Sequence, residues 1–123
     1  MSALLTSKRP SRIRKTPAEI SAVELKLWLN NRCDIALVDV REPHEFAGGH
    51  IADATLIPLG QVAARAGEID PNAITVVYCK GGVRSAKAIV ALKEAGFAGI
   101  LVNLKDGITG WSQAIGSDLV KAA

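Results

Sequence analysis

Apolar residues in this chain fall into short continuous blocks, each bounded by polar or turn-forming residues. Three blocks, at residues 35–40, 74–78 and 100–104, are almost entirely apolar and show no in-and-out alternation. Continuous runs of this length are typical of strands that are buried on both faces, as in parallel sheets. The block at 74–78 is also rich in β-branched residues, which favours a strand. A fourth, shorter strand is expected at residues 55–58.

The segments between these blocks have helical features. Ser21 is followed three residues later by Glu24, which is the pattern of a capping box at a helix start. The apolar positions that follow predict a short helix ending near residues 30–31. Residues 85–95 give the clearest helix, and Gly96 stands where a left-handed C-terminal residue is expected.

The remaining segments complete an alternation of strands and helices. A helical stretch is expected over residues 62–66, and the segment around Trp111 closes the domain, with the indole filling the core. Alternating strands and helices predict an α/β layered fold with a mainly parallel sheet. The length of 123 residues fits one domain of this kind.

The composition is that of a globular domain with its positive charge at one end. Hydrophobic residues make up 49% and charged residues 22% of the chain, which excludes a disordered protein. No apolar run approaches the ~18 residues of a membrane-spanning helix. The net charge is +3, but five basic and no acidic residues lie in the first 15 positions, leaving 10 basic against 12 acidic residues elsewhere. Because a nucleic-acid binder spreads basic residues over one face of its fold, this distribution argues against nucleic acid as a partner.

We interpret residues 1–16 as a basic, flexible N-terminal arm and residues 17–123 as a single domain. A docking arm and a transit peptide are the alternatives for the arm, whereas its one apolar cluster is too short for a secretory signal. Cys33 and Cys79 are too few for a disulfide framework, so we expect free thiols in a reducing, cytoplasmic compartment. Cys33 lies in a polar turn and carries no further expectation.

The candidate chemistry lies in residues 78–85, which connect the end of a buried strand to the start of a helix. Ligands of open α/β sheets bind outside this end of the strands. Gly81 and Gly82 free the backbone, so that successive N–H groups can turn inward and hold an anion. The dipole of the following helix acts in the same direction, and Lys80 and Arg84 add positive charge.

Cys79 opens this loop, and its neighbours favour the charged form of the thiol. Helix N-termini and adjacent cations lower a thiol pKa from about 8.5 to between ~3.5 and ~7.5. Since the thiolate is the nucleophilic form, we expect Cys79 to be an anionic nucleophile within reach of small reagents. The plainer alternative is a small buried hydrophobic residue at the end of a strand.

A Cys-based phosphatase is a second chemical interpretation of the same loop. Four residues separate Cys79 from Arg84, one fewer than in the phosphatases of this type. The shorter loop makes a smaller bowl, which suits a single sulfur atom better than a phosphoryl group. No acid stands at an obvious spacing to protonate an ester leaving group, so phosphatase remains the second choice.

Three segments resemble, in family order, the signatures of the rhodanese family of sulfurtransferases. The N-terminal signature, the active-site loop and the C-terminal signature correspond to residues 39–46 with 49–51, residues 79–85, and residues 104–111. The resemblance spans about residues 20–112. Residues 78–87 most resemble rhodanese domains attached to the enzymes that adenylate ubiquitin-like sulfur carriers.

The resemblance implies a five-stranded, mainly parallel sheet with helices on both faces, and a two-step sulfur relay. The Cys79 thiolate would take the outer sulfur of a donor such as thiosulfate, and the persulfide would pass it to cyanide, a thiol or a sulfur-carrier protein. Lys80 and Arg84 would attract the anionic donor, with backbone donors from Gly81, Gly82, Val83 and Ser85. The relay implies no metal and no organic cofactor. A non-catalytic binding module of the same fold is the remaining alternative.

Other residues in the signatures have structural interpretations. Asp39 and Arg41 follow a buried strand and are expected to form an ion pair that supports the active loop. His44 and His50 are the only histidines; a structural role in the turn is expected of His50, with a general-base role as the alternative. The C-terminal signature commonly has paired glycines, but here Asp106 precedes a single glycine, so we expect a polar contact at the loop or altered docking.

Overall fold

One five-stranded parallel sheet organises residues 18–116 and 119, the part of the chain that the structure, a computed structural model, describes. The strand order is β1-β5-β4-β2-β3, and every neighbouring pair is parallel. The strands are β1 (Glu19–Ile20), β2 (Ile35–Asp39), β3 (Thr55–Leu56), β4 (Ile74–Tyr78) and β5 (Ile100–Leu104). The predicted α/β fold with a parallel sheet is confirmed.

Three α-helices lie between strands, α1 (Ala22–Asn31), α2 (Pro43–Gly48) and α3 (Val83–Glu94), and a fourth, α4 (Gly107–Ile115), follows β5. The capping box at the start of α1 is present, because the Ser21 hydroxyl accepts from the Glu24 amide while the Glu24 carboxylate accepts from the Ser21 amide. Gly96 follows α3 with φ +94°, the left-handed backbone expected there. Sequence patterns did not predict α2, which has Pro43 at its first position.

The prediction of a helical stretch over residues 62–66 is wrong. Two short 3-10 turns, Leu59–Gln61 and Ala66–Glu68, flank residues 62–65 instead. A glycine in each turn lowers the helix propensity, and Val62 is the residue that anchors the segment in the core at 1% exposure.

The core is divided by the sheet, and β4 contributes to both halves. Because side chains alternate along a strand, Tyr78 packs with α1 and α4 on one face while Val77 and Cys79 pack with α3 on the other. Trp111 lies on the first face at 4% exposure, as expected of a core residue. The alternation therefore puts the Cys79 sulfur on the side of the sheet covered by α3.

Within the described residues, no helix is both long and apolar enough to span a membrane. The basic arm expected at residues 1–16 lies outside the described residues.

Candidate active site

The loop after β4 turns directly into α3. The helix begins at Val83, two residues earlier than the sequence indicated, and Gly82 precedes it with φ +105°. Gly82 is the glycine of this loop that needs its conformational freedom, since Gly81 does not have a positive φ. The early start places the Ser85 amide in the first helical turn, where backbone N–H groups have no partner inside the helix.

Cys79 is held by hydrogen-bond donors from this turn. The Gly82 amide donates to the Cys79 sulfur at 3.1 Å, and the Ser85 hydroxyl lies 3.4 Å from it. Burial raises the pKa of the thiol, but the hydrogen bonds that the sulfur receives from this turn, among them those of the Gly82 and Gly81 amides, outweigh it and bring the pKa below the ordinary value. No hydrogen bond joins the Val83 amide to the Cys79 sulfur among the described residues, and its role toward a bound sulfur donor stays a prediction.

The sulfur is less open than the sequence suggested. Cys79 exposes 2% of its surface, because the loop closes over it through Gly82 and the start of α3 lies against it. The loop itself is exposed, with Val83 at 67% exposure. A small reagent must therefore enter the loop to meet the sulfur.

Ser85 connects the sulfur to a residue that the sequence analysis did not single out. The Ser85 hydroxyl contacts the Asn103 carboxamide oxygen in β5 at 2.5 Å. The carboxamide nitrogen of Asn103 donates to the Gly82 carbonyl at 3.1 Å. Asn103 is 2% exposed, and its position as the polar residue of an apolar strand is the signal that could have identified it.

Arg84 does not present a free charge to the loop. Its two terminal nitrogens donate to the two carboxylate oxygens of Glu45 in α2, at 2.8 and 2.9 Å. The Arg84 hydrogen bonds, with a smaller contribution from the Glu42 backbone, lower the pKa of Glu45 to about 2. Lys80, by contrast, forms no ion pair with any residue that the structure describes.

Asp39 and Arg41 form the expected ion pair, with both side chains buried. The closest contact is 2.7 Å, and Arg41 also donates to the Gly49 carbonyl at 2.8 Å. Through this bond the pair holds Gly49, the residue that follows α2, near the end of β2. Its support of the loop is indirect, because α2 carries the Glu45 that binds Arg84.

The C-terminal signature docks on the loop through its backbone. The amides of Ile108 and Thr109, in the first turn of α4, donate to the Cys79 and Lys80 carbonyls at 2.9 and 3.1 Å. Gly107 has φ +56°, and a Cβ there would collide with both carbonyl oxygens. Asp106 has φ +63°, a left-handed conformation that glycine adopts at lower cost, and its side chain does not make the expected polar contact among the described residues.

A sequence model of the Rhodanese-like domain matches residues 21–114, which is most of the chain. The chain belongs to the rhodanese-like domain family. A probable adenylyltransferase/sulfurtransferase MoeZ of Mycobacterium tuberculosis is 40% identical over 103 residues, covering 82% of this chain and 26% of that protein. A sulfurtransferase of Allochromatium vinosum is 37% identical over 95 residues, covering 77% of this chain and 88% of that protein. The chain therefore spans about a quarter of the mycobacterial relative.

Solved structures agree with this assignment. A rhodanese-like domain protein from Staphylococcus aureus has a TM-score of 0.76 and 32% identity, covering 86% of this chain and 99% of that chain. A rhodanese-related protein from Thermoplasma volcanium has a TM-score of 0.75 and 27% identity, covering 85% of this chain and 99% of that chain. Family membership and the relatives' names support a role in sulfur transfer in general.

Neither histidine of this rhodanese-like domain hydrogen-bonds to Cys79 among the described residues. The His50 ring stacks on Phe46 with 3.6 Å between centroids, and its Nδ1 lies 2.9 Å from the Phe46 carbonyl oxygen. His44 is exposed beside a groove that Lys80 also lines. His50 thus has the structural environment expected of it. No group of three or more His, Cys, Asp or Glu side chains in the described part of the chain is placed to hold a metal ion.

Proposed function

We propose that this rhodanese-like domain transfers sulfane sulfur through a persulfide on Cys79, with thiosulfate as a donor. The observation that carries the proposal is the Gly82 amide 3.1 Å from the Cys79 sulfur, at the N-terminus of α3. Donors fixed around a sulfur atom stabilise the negative charge that it must carry as a nucleophile.

The chemistry needs two displacements at sulfur. In the first, the Cys79 thiolate attacks the outer sulfur of thiosulfate, a new S–S bond forms, and sulfite leaves with the electron pair of the old one. In the second, an acceptor attacks the outer sulfur of the persulfide, and the Cys79 thiolate is released. The loop amides and the dipole of α3 stabilise the negative sulfur in both steps.

Charge around the loop indicates how an anionic donor is recognised. Arg84 is neutralised by Glu45, so the attraction comes from Lys80, the backbone donors and the helix dipole. We propose that the Lys80 side chain contacts the anionic sulfur donor. Cyanide, a thiol or a sulfur-carrier protein is the proposed acceptor, in line with the resemblance of the loop to domains that serve such carriers.

The phosphatase alternative receives less support from the site. A phosphatase of this type needs its loop arginine turned toward the phosphoryl oxygens. Both terminal nitrogens of Arg84 instead bind Glu45. The binding-module alternative leaves unexplained why a cysteine with a lowered pKa stands at this position.

Intact-mass spectrometry after thiosulfate treatment tests the proposal. The chain is expected to gain the mass of one sulfur atom, to lose it when cyanide is added, and to release thiocyanate. Cys79→Ser should gain nothing, whereas Cys33→Ser, which changes the exposed cysteine, should behave like the unmodified chain. An adduct that persists in Cys79→Ser, or the absence of any adduct, would contradict the assignment.

A further inference from the structure

Ser85 lies between two groups that compete for a single hydrogen. Its hydroxyl oxygen is 3.4 Å from the Cys79 sulfur and 2.5 Å from the Asn103 carboxamide oxygen. A serine hydroxyl carries one hydrogen and two lone pairs, so it can donate to only one of these neighbours at a time.

The orientation of Asn103 decides which neighbour receives the hydrogen. The other end of its carboxamide faces the Gly82 carbonyl at 3.1 Å and a Glu19 carboxylate oxygen at 3.5 Å, and both of these only accept. That end must therefore be the amide nitrogen, because the reverse orientation would set oxygen against oxygen. The carboxamide oxygen consequently faces Ser85 and needs a donor.

We propose that Asn103 is a positioning residue that withholds the Ser85 hydroxyl hydrogen from the Cys79 sulfur. While the hydrogen is held by Asn103, Ser85 presents a lone pair to the sulfur. It can then accept the S–H of the thiol, but it gives nothing to the thiolate. The thiolate depends on the backbone amides, of which Gly82 is the closest.

The consequence for sulfur transfer rests on the proposed function. In the persulfide, the negative charge has moved to the outer sulfur, and the Cys79 sulfur no longer needs a strong donor. Asn103 therefore disfavours the resting thiolate without disfavouring the persulfide. A thiolate with fewer hydrogen bonds is also more basic and, for thiols, more nucleophilic.

Several charged groups lie near the loop, and the variants below substitute none of them, although Asn103→Leu removes the 3.5 Å contact with Glu19. Lys80 lies in the loop, and Arg84 in α3 pairs with Glu45 in α2. Asp106 stands just before α4, Asp39 at the end of β2 pairs with Arg41, and Glu19 lies in β1.

Asn103→Leu tests the proposal by removing the competitor while keeping a buried side chain of similar size. The freed Ser85 hydroxyl should donate to the thiolate and lower the Cys79 pKa by about one unit. The measurement is the rate of iodoacetamide alkylation against pH, in a Cys33→Ser background. Well above both pKa values, the rate constant should fall by about threefold, because a less basic thiolate is less nucleophilic. A purely structural Asn103 would have the opposite effect, since a loosened loop loses the Gly82 donor and raises the pKa.

Ser85→Ala tests the same point without changing Asn103, and so keeps the proposal falsifiable if Asn103→Leu does not fold. The Cys79 pKa should stay constant or fall, because the lost hydroxyl was an acceptor for the thiol. A rise of about one unit would show that Ser85 already donates to the thiolate, and would overturn the proposal. Adding Asn103→Leu to Ser85→Ala should not shift the Cys79 pKa further. A further drop in the pKa as large as that in Asn103→Leu alone would also overturn the proposal. Alkylation does not require sulfur transfer, so failure here is distinct from failure of the persulfide mechanism.

Discussion

Arg84 and Glu45 lie 39 positions apart in the chain and meet in a two-pronged ion pair, with contacts of 2.8 and 2.9 Å. The pair joins the first turn of α3 to α2, so the active-site loop is connected to the N-terminal signature. It also removes much of the positive charge that Arg84 would otherwise offer to an anionic donor. One contact therefore has a structural and an electrostatic consequence, and each can be tested.

Glu45→Gln should release the Arg84 charge toward the loop. We expect the KM for thiosulfate to fall by about fivefold, a change of ~1 kcal/mol, which is the size of a partly screened charge interaction at short range. Steady-state assays at low and high salt measure the effect, and the gain should shrink as salt increases. Glu68→Gln, which breaks the Arg65–Glu68 pair elsewhere on the surface, is the matched control. A KM that is unchanged or higher in Glu45→Gln would contradict this assignment.

The same pair should contribute to stability in a defined pH range. The pKa of Glu45 is lowered to about 2 in the folded chain, below its value of 4.5 in the absence of the pair. A carboxyl with a lowered folded pKa stabilises the fold above the unfolded pKa and loses that contribution as the pH falls toward the folded one. The difference in free energy of unfolding between the unchanged chain and Glu45→Gln should therefore shrink between pH 4.5 and about 2. Urea titrations across this range measure it. A difference that stays constant down to the acid limit would contradict the pair's contribution.

The ionisation and the burial of Cys79 predict an unusual pattern of reactivity. Because hydrogen bonds outweigh burial and lower its pKa, iodoacetamide should reach half of its maximal rate with Cys79 at a lower pH than with cysteine in a short unstructured peptide. Cys79 exposes 2% of its surface, so a bulky maleimide should react with it far more slowly than with the exposed Cys33. Peptide mass mapping distinguishes the two sites, and equal labelling of both by the bulky reagent would contradict the closed loop.

Local sequence patterns predicted the strands and helices whose formation depends on residues close together in the chain. The apolar run at 74–78 and the glycines after Cys79 indicated a buried strand turning into a helix, and that is how the loop is built. Glu45 and Asn103 were not predicted, because they reach the loop from 39 and 18 positions away from their partners. The apolar spacing around Val62 resembled a helix, but the glycines beside it favour separate turns. Side-chain pairing across elements therefore required the structure.

Two aspartate–arginine pairs in this chain have the same spacing but different burial, and they should differ in their contribution to stability. Asp39 and Arg41 are buried, whereas Asp34 and Arg32 are exposed. Asp39→Ala should destabilise the fold by about 3–5 kcal/mol, because it leaves the Arg41 charge buried without a partner. Asp34→Ala should change the free energy of unfolding little, because water replaces the lost contact. Urea unfolding of both variants measures the contrast, and similar losses in the two would contradict it.

Gly107 should tolerate no side chain, although it lies outside the catalytic loop. A Cβ at this position would collide with the Cys79 and Lys80 carbonyl oxygens, and its φ of +56° disfavours other residues. Gly107→Ala must push the start of α4 away from the loop, so that the Ile108 amide no longer reaches the Cys79 carbonyl. We expect a loss of at least about 2 kcal/mol in stability and slower alkylation of Cys79 in the folded fraction. Gly81→Ala is the matched control, because a Cβ there meets nothing within 4 Å and its φ is not positive. If Gly107→Ala is as stable as Gly81→Ala and its Cys79 is equally reactive, the backbone docking of α4 is not what holds the loop closed.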